Sequence, residues 1–526
     1  MSSPERTIVI GGGIAGLLAA RRHALAGRQV TLLEADEVTG GAIAAQTVGG
    51  IEINTGAEAW SVGNGSVEAL VAELGMADRV VSPVTGRGSR LVSAAGVHIA
   101  PPGGMFGIPA RPLSPQTRQV LGTVGALRAW AERFLPAGFG LREGVTIGDY
   151  VRRRMGRRVV DRLVAPLVGG VHSADPYSLE LAATLPRLPD AVRETGSLAA
   201  AVRLLRPDTT RSSGRGAGTA VRALTPTMAD LTRALEAQLR ELGAEVLTST
   251  AALSVARGEG GVAQKDGGTW QVTASTRTTG APEGPAEGSA AGGSTTEGSA
   301  AVHLEAEHLV LACPPDATAA LLEQVAPDLA AAIPSAPAVP VRLVALVLEV
   351  PALDAAPSGT GALVAAGTPG VRAKALTHAT AKWEHVRRAA DDLHVVRLSY
   401  GRPGEELPED DSHGPHGTEG AIVDLALTDA SAILGTDLDR TQLRAARVIT
   451  WQRAMRRPGP GHREALARIT ELLAPDPRLE LVGSWRAGTG IDAIVRADAR
   501  AAAEAAPPNP EPEPTPSTDR TQEDRS

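Results

Sequence analysis

Cysteine is nearly missing from this chain: Cys313 is the only one in 526 residues. A single thiol excludes an internal disulfide and a cysteine-held metal cluster, and such a chain suits a reducing compartment. Lysine is almost as scarce, at Lys265, Lys374 and Lys382, so nearly all of the 52 basic residues are arginine. Aromatics amount to 6 Trp, 3 Tyr and 3 Phe. The net charge of −7 gives no basic footprint for a nucleic-acid partner. No apolar run approaches the ~20 residues that a membrane-spanning helix needs. Arg6–Ile10 is reached without a basic-then-apolar leader, so the expectation is a cytoplasmic protein with no transmembrane segment. Apolar content of 43% and charged content of 21% are globular values, and the length asks for more than one compact unit.

The chain opens on a βαβ pattern. Thr7–Ile10 is a short apolar strand, Gly11–Gly16 a glycine turn, Leu17–Ala26 a helix and Gln29–Glu34 a second strand. A helix near Ser66–Leu74 and short strands around Arg90–Ile99 follow. From about Ser114 to Leu205 the pattern is mostly helical, with breaks expected at Pro136–Gly144 and Pro166–Pro176. Leu231–Leu239 is an amphipathic helix before a strand at Ala244–Thr248, while Val341–Val350, Val395–Tyr400 and Leu479–Ser484 read as strands. A helix at Ala493–Ala506 closes the pattern. Between Val272 and Val302 there is no Val, Leu, Ile or aromatic residue, so 273–301 is expected to be a disordered insert. The tail 507–526, with six prolines, and the loop Glu405–Gly420 are likewise expected to be solvated.

Gly11, Gly13 and Gly16 form G-x-G-x-x-G between a strand and a helix. The first glycine makes the tight turn, the second lets a pyrophosphate approach the backbone, and the third packs helix on strand. The helix start offers free N–H groups to the anion. Glu34 ends the second strand, where a carboxylate can accept from ribose hydroxyls. The turn therefore predicts a dinucleotide site made by Gly11, Gly12, Gly13, Ile14, Ala15, Gly16 and Glu34. No second strand–glycine turn–helix offers a nicotinamide site.

Glu34-Ala35 followed by Gly40-Gly41 resembles the extended FAD fingerprint of flavin amine oxidases and their relatives. Further on, Leu163–Pro176, Thr377–Trp383, Val396–Arg402, Trp451–Met455 with Gly461-His462, and Gly483–Ile491 are similar, in order, to motifs of the oxygen-dependent protoporphyrinogen/coproporphyrinogen oxidase family, with actinobacterial coproporphyrinogen III oxidases the nearest kind. Arg456-Arg-Pro-Gly replaces a Pro and Tyr usual there, Ala42 a basic residue, and Thr225–Met228 a glycine pair.

The resemblance implies an α/β fold (α+β overall), with a Rossmann-type FAD-binding domain, a mixed β-sheet substrate domain and a helical domain. The expected division is 1–85, 220–335 and 440–506 for FAD, 86–110, 206–219 and 336–439 for substrate, and 111–205 for the helices. It implies that Ala35, Gly41, Ala42, Gly56, Ala57, Glu58 and Ala59 border FAD, that the backbone at Thr250 meets the adenine, and that Trp451, Thr489, Gly490 and Ile491 approach the flavin ring. Gly170 would lie beside the reacting methylene bridge and Arg90 would pair a substrate propionate. No metal is implied.

The implied reaction is oxidation of coproporphyrinogen III to coproporphyrin III with O2 as acceptor and H2O2 as by-product, in haem biosynthesis. A transient contact with the next haem-pathway enzyme is a further possible partnership. Protoporphyrinogen IX is the alternative substrate. An amine oxidase is more distant, since its aromatic cage and water-holding lysine are hard to supply from this composition. A non-catalytic FAD-fold escort protein is disfavoured by the intact Glu34 and glycine doublet.

Overall fold

The computed structural model describes residues 3–62, 65–172, 174–205, 221–258, 268–278, 298–335, 338–455 and 461–505. The expected tail, the interior of the insert at 279–297 and the segment 206–219 lie outside them, as do Arg456–Pro460.

At the centre of the first unit is a five-stranded parallel sheet drawn from distant parts of the chain. Its order is Glu245–Leu247, β2 (Gln29–Leu33), β1 (Arg6–Ile10), His308–Leu311, Leu479–Leu481. Both faces are covered, which is why β1 is an unbroken apolar run rather than an alternating one. Val9 packs with α1 (Ile14–Leu25) and the helices Ala229–Glu241 and Ile491–Ala505. Ile8 and Ile10 pack on the other side with a three-stranded antiparallel sheet and the helix His462–Leu473.

That antiparallel sheet corrects the reading of the insert. Its strands are Thr250–Arg257, Trp270–Thr278 and Gly298–Ala306, and pairing runs from Trp270↔Ala306 to Thr278↔Gly298. Residues 273–278 and 298–301 are therefore paired strand. Main-chain hydrogen bonds hold a ladder whatever its side chains, and Ala274, fully buried beside Trp270 and Val272, needs no bulk.

The second unit is a seven-stranded mixed sheet in the order Leu443–Met455, Val339–Leu348, His394–Tyr400, Ala375–His378, Gly361–Val364, Arg90–Ser93, Gly96–Ile99. Leu443–Met455 is bonded along Val339–Leu348, so this sheet takes in residues that the sequence grouped with the cofactor unit. Val344, Leu346, Leu376 and Leu398 pack one face against the helix Ala421–Leu434. Asp411, in the expected loop, caps that helix by accepting from the N–H groups of Ala421 and Ile422.

The third unit is helical, with its own core around Val151, Val160 and Val192. The break expected at Pro166–Pro176 does not begin at Pro166, and residues 174–176 are where the chain is non-helical. Helix runs continuously from Arg157 to His172, with a π turn at Val160–Val164 just ahead of the proline. The wider turn loosens the ladder where Pro166 has no N–H to give. No helix among the described residues is long and apolar enough to cross a membrane.

Candidate active site

The glycine turn sits at the carboxyl end of β1, where doubly wound sheets take their ligands. Gly11 has φ +108°, and an added Cβ would meet the Ala312 carbonyl carbon and oxygen at 3.0 Å. A Cβ on Gly16 would fall 1.8 Å from the Gly11 carbonyl oxygen. These two glycines are demanded by the protein itself. Gly13 is different: a Cβ there would meet nothing within 4 Å. Gly13 also caps α1 with no side chain, leaving the first-turn N–H groups to an outside acceptor. Gly41, at φ +56°, lies beside Gly13: a Cβ added to Gly41 would stand 3.3 Å from the Gly13 Cα. The Glu34 carboxylate accepts from the N–H groups of Gly12 at 2.7 Å and Asp36 at 2.9 Å. Burial raises its pKa, and those backbone donors offset part of the rise. A cradle of free N–H groups, a spare space at Gly13 and a fixed carboxylate fit the pyrophosphate and ribose of a dinucleotide.

Next to the cradle, residues 54–58 join it to the seven-stranded sheet. On one side Thr55 N–H donates to the Ala44 carbonyl at 2.9 Å and Ala57 N–H to that of Ala42 at 2.8 Å. A Cβ on Gly56 would fall 2.0 Å from the Ala42 carbonyl oxygen, so the contact requires glycine. On the other side the carbonyls face the sheet. Trp451 Nε1 donates to the Thr55 carbonyl at 2.8 Å, and Arg397 Nη1 donates to that of Asn54. The Thr55 Oγ1 is buried with no hydrogen-bond partner among the described residues. An orphaned hydroxyl beside an open cradle suits a polar ligand atom.

Glu58 departs from its expected place. Its carboxylate takes Lys382 Nζ at 2.9 Å, Trp383 Nε1 at 2.7 Å and Arg397 Nη2 at 3.5 Å, so it ties the loop to the sheet. Burial alone would raise its pKa, but Lys382 and Arg397 hold it at about 2, below the ordinary 4.5. A depressed carboxyl stabilises the fold above its unfolded pKa and loses that contribution as pH falls toward the folded value. Wild type should therefore be more stable than Glu58→Gln by on the order of 2–3 kcal/mol at pH 6, the gap closing between pH 4.5 and 2. Denaturant titrations across that window check it, and a gap independent of pH would contradict the ion pair.

The face of the seven-stranded sheet opposite helix Ala421–Leu434 carries a transverse row in register: Ile449, Leu343, Ser399, Ala375, Leu363. Four strand spacings make it about 19 Å across. Ile449 and Leu343 pack with Trp451 at one end. At the other end Leu363 lies under Gly170, whose Cβ, if added, would fall 2.6 Å from Leu363 Cδ2. Ser399 and Ala375, small and half-buried, lower the middle. Two cavities, of about 390 Å³ around Arg372 and Arg402 and about 620 Å³ around His413 and His416, are lined by no residue of this row.

The sequence-derived residues fall into place unevenly. Gly11–Gly16, Glu34, Gly41, Ala42 and Gly56–Ala57 come together at the cradle, with Ala35 and Ala59 flanking it. Thr489-Gly490-Ile491 stand at the start of helix Ile491–Ala505. The Thr250 N–H donates to the Glu34 carbonyl at 2.7 Å, which ties the start of its strand to the end of β2. Arg90 is not brought to Gly170. Leu91 points into the helical core with Leu363, so its neighbour Arg90 leaves the strand on the other face, its Nη1 3.4 Å from the Arg87 carbonyl. The transverse row and the Glu58 tie escaped the sequence. Strand alternation could nominate Leu343 or Ser399 singly, but the register that aligns them is not written locally.

The family model described as flavin containing amine oxidoreductase matches residues 14–506. The coproporphyrinogen III oxidase of Mycobacterium tuberculosis (strain CDC 1551 / Oshkosh) is 29% identical over 507 residues, covering 95% of this chain and 97% of its own. That of Propionibacterium freudenreichii subsp. freudenreichii is 26% identical, covering 94% and 90%. Among solved structures, a candidate protoporphyrinogen oxidase from Exiguobacterium sp. 255-15 superposes with a TM-score of 0.73 at 23% identity, over 96% of this chain and 99% of its own. Cyclohexylamine oxidase from Brevibacterium oxydans superposes with a TM-score of 0.58 at 18% identity, over 95% and 98%.

Proposed function

Because this chain belongs to the flavin-containing amine oxidoreductases, and so to a family of flavin-dependent oxidoreductases, we propose that it binds FAD and oxidises coproporphyrinogen III to coproporphyrin III, with O2 as acceptor and H2O2 as product, in haem biosynthesis. The observation that carries the reading is the half-open row Ile449–Leu343–Ser399–Ala375–Leu363 beside the cradle. A broad, shallow, mostly apolar floor suits a flat macrocycle better than a small amine. Full-length relatives named coproporphyrinogen III oxidase support the substrate. Protoporphyrinogen IX is the alternative.

FAD would lie along Gly11–Gly16, with Glu34 accepting from its ribose and Gly41, Ala42 and Gly56 closing over it. When bound it supplies a two-electron hydride acceptor. The chain's own part is to position. Leu343, Ile449 and Trp451 exclude water along one edge, and Gly170 brings backbone close to the macrocycle without a side chain in the way. Three rounds remove six electrons and six hydrogens, and each round reduces one O2 to H2O2.

The amine oxidase reading needs a lysine free to hold a water. Among the described residues Lys382 is bound to Glu58 and Lys374 donates to the Gly401 carbonyl at 2.8 Å. The test is anaerobic bleaching of the bound flavin by coproporphyrinogen III, protoporphyrinogen IX and an amine in parallel, followed by peroxide release on admitting air. Rapid bleaching by a porphyrinogen is expected, and bleaching by the amine alone would overturn the reading. Arg90→Ala should leave both kcat/KM and flavin content unchanged, because Arg90 leaves its strand on the face opposite Gly170. A loss of roughly tenfold or more in kcat/KM would mean that a substrate propionate reaches Arg90.

A further inference from the structure

Glu58 was expected to border the cofactor, and its side chain instead faces away from the cradle. Every hydrogen bond linking residues 54–58 to the sheet comes from that sheet or the segment leading into it. Arg397 donates to Asn54 and Glu58, Trp451 to Thr55, and Lys382 with Trp383 to Glu58. The loop's N–H groups point the other way, to Ala42 and Ala44 of the cofactor segment. The loop is thus a single layer between the cradle and the substrate floor. Arg397 lies on the same sheet face as Ser399, one transverse row away, through the register Ala345↔Arg397↔Thr377. Lys382 is in turn tied to the loop that carries Arg87 and Arg90: Val84 N–H donates to the Lys382 carbonyl at 2.8 Å and Arg87 Nη1 to that of Ala381 at 3.1 Å. Two cations and an indole N–H converge on the Glu58 carboxylate where these segments meet.

We propose that Glu58, with Lys382, is a positioning pair that sets the spacing between the flavin-bearing loop and the substrate floor, and does not itself contact cofactor or substrate. The assignment of the floor rests on the porphyrinogen reading above; the clasp itself does not. A residue that only stabilises the fold would change melting and flavin retention together and leave turnover per bound flavin alone. A positioning residue changes the rate per bound flavin, because small displacements of reacting groups are costly.

The experiment uses the flavin-loaded full chain as Glu58→Gln, Lys382→Met, Lys382→Arg and the Glu58→Gln/Lys382→Met double variant. Two readouts are taken per bound flavin: the anaerobic reduction rate with coproporphyrinogen III, and the visible circular dichroism of the flavin without substrate. Expected for Glu58→Gln and Lys382→Met is a fall in the reduction rate of roughly tenfold or more, with KM within about threefold. Lys382→Arg should recover most of the rate. The double variant should be no slower than either single, because both singles break one tie. The circular dichroism should shift in the variants that slow. Losses that multiply in the double variant, or a rate and a dichroism both unchanged, would overturn the proposal. If wild-type flavin is reduced by no porphyrinogen, the functional reading fails instead, and the dichroism comparison still decides the clasp. Should Glu58→Gln not fold, Lys382→Met against Lys382→Arg makes the same decision.

Discussion

Gly13→Val is expected to purify colourless, folded and as thermally stable as flavin-stripped wild type. A Cβ at this position meets nothing within 4 Å of the chain, so the protein has no packing reason to refuse it. What refuses it is the ligand. The branched side chain would occupy the space where pyrophosphate must reach the uncapped N–H groups of α1. Losing charge-assisted hydrogen bonds at about 1.5–3 kcal/mol each, for two of them about 3–6 kcal/mol, lowers affinity by roughly two to four orders of magnitude. Gly16→Val gives the contrast. Its Cβ would stand 1.8 Å from the Gly11 carbonyl oxygen, so that variant should fail as a fold and lose flavin only as a consequence. The ratio of 450 to 280 nm absorbance, read beside a melting curve, separates the two. Wild-type flavin content in Gly13→Val would remove the cradle from the cofactor site.

The largest stability effect is expected at Arg154, in the core of the helical unit. Its side chain is fully buried against an equally buried Glu132, with Nε 3.1 Å from the carboxylate. Arg154 also donates to the carbonyls of Pro136, Ala137 and Phe139. Glu132 in turn accepts from Ser197 Oγ at 2.5 Å and from the N–H groups of Leu198 and Ala199, and so anchors the start of helix Leu198–Leu205. Arg154→Met leaves the buried carboxylate without its cation, and takes a donor from the carbonyls of Pro136, Ala137, Phe139, Glu132 and Gly196, which should cost about 3–5 kcal/mol. The double variant with Glu132→Leu should recover part of that and stay below wild type, because the helix start then lacks its acceptor. Urea unfolding followed at the helical signal measures both. A loss under about 1 kcal/mol for Arg154→Met would mean that water reaches the pair.

Arg154 and Glu132 also show where sequence reading stops. Each looks like a surface residue of an arginine-rich helical stretch, and nothing within a few positions of either announces a partner 22 residues away. The same holds for Glu58, whose partners lie more than 320 residues on. The insert shows the converse error. Poverty in apolar residues points to disorder, yet 273–278 and 298–301 are paired strand, because a ladder asks only for backbone and a neighbour to extend from, and the buried Trp270 and Val272 supply the start.

What the sequence determined by itself is the set of features fixed within a few residues: the βαβ unit, the roles of Gly11 and Gly16, the strand-end Glu34, and the ordered series of short motifs that marks the family. These are local because a turn, a cap and a helix start are decided by neighbouring backbone angles and by the presence or absence of one Cβ. Tertiary structure alone decided the rest. It set the row from Ile449 to Leu363 in line, turned Arg90 to the opposite face from Gly170, and aimed Glu58 at Lys382 rather than at the cofactor. Strand register and side-chain facing depend on which distant segments pair, and a shift of one residue would reverse every facing in the floor. No single stretch of the chain contains that information.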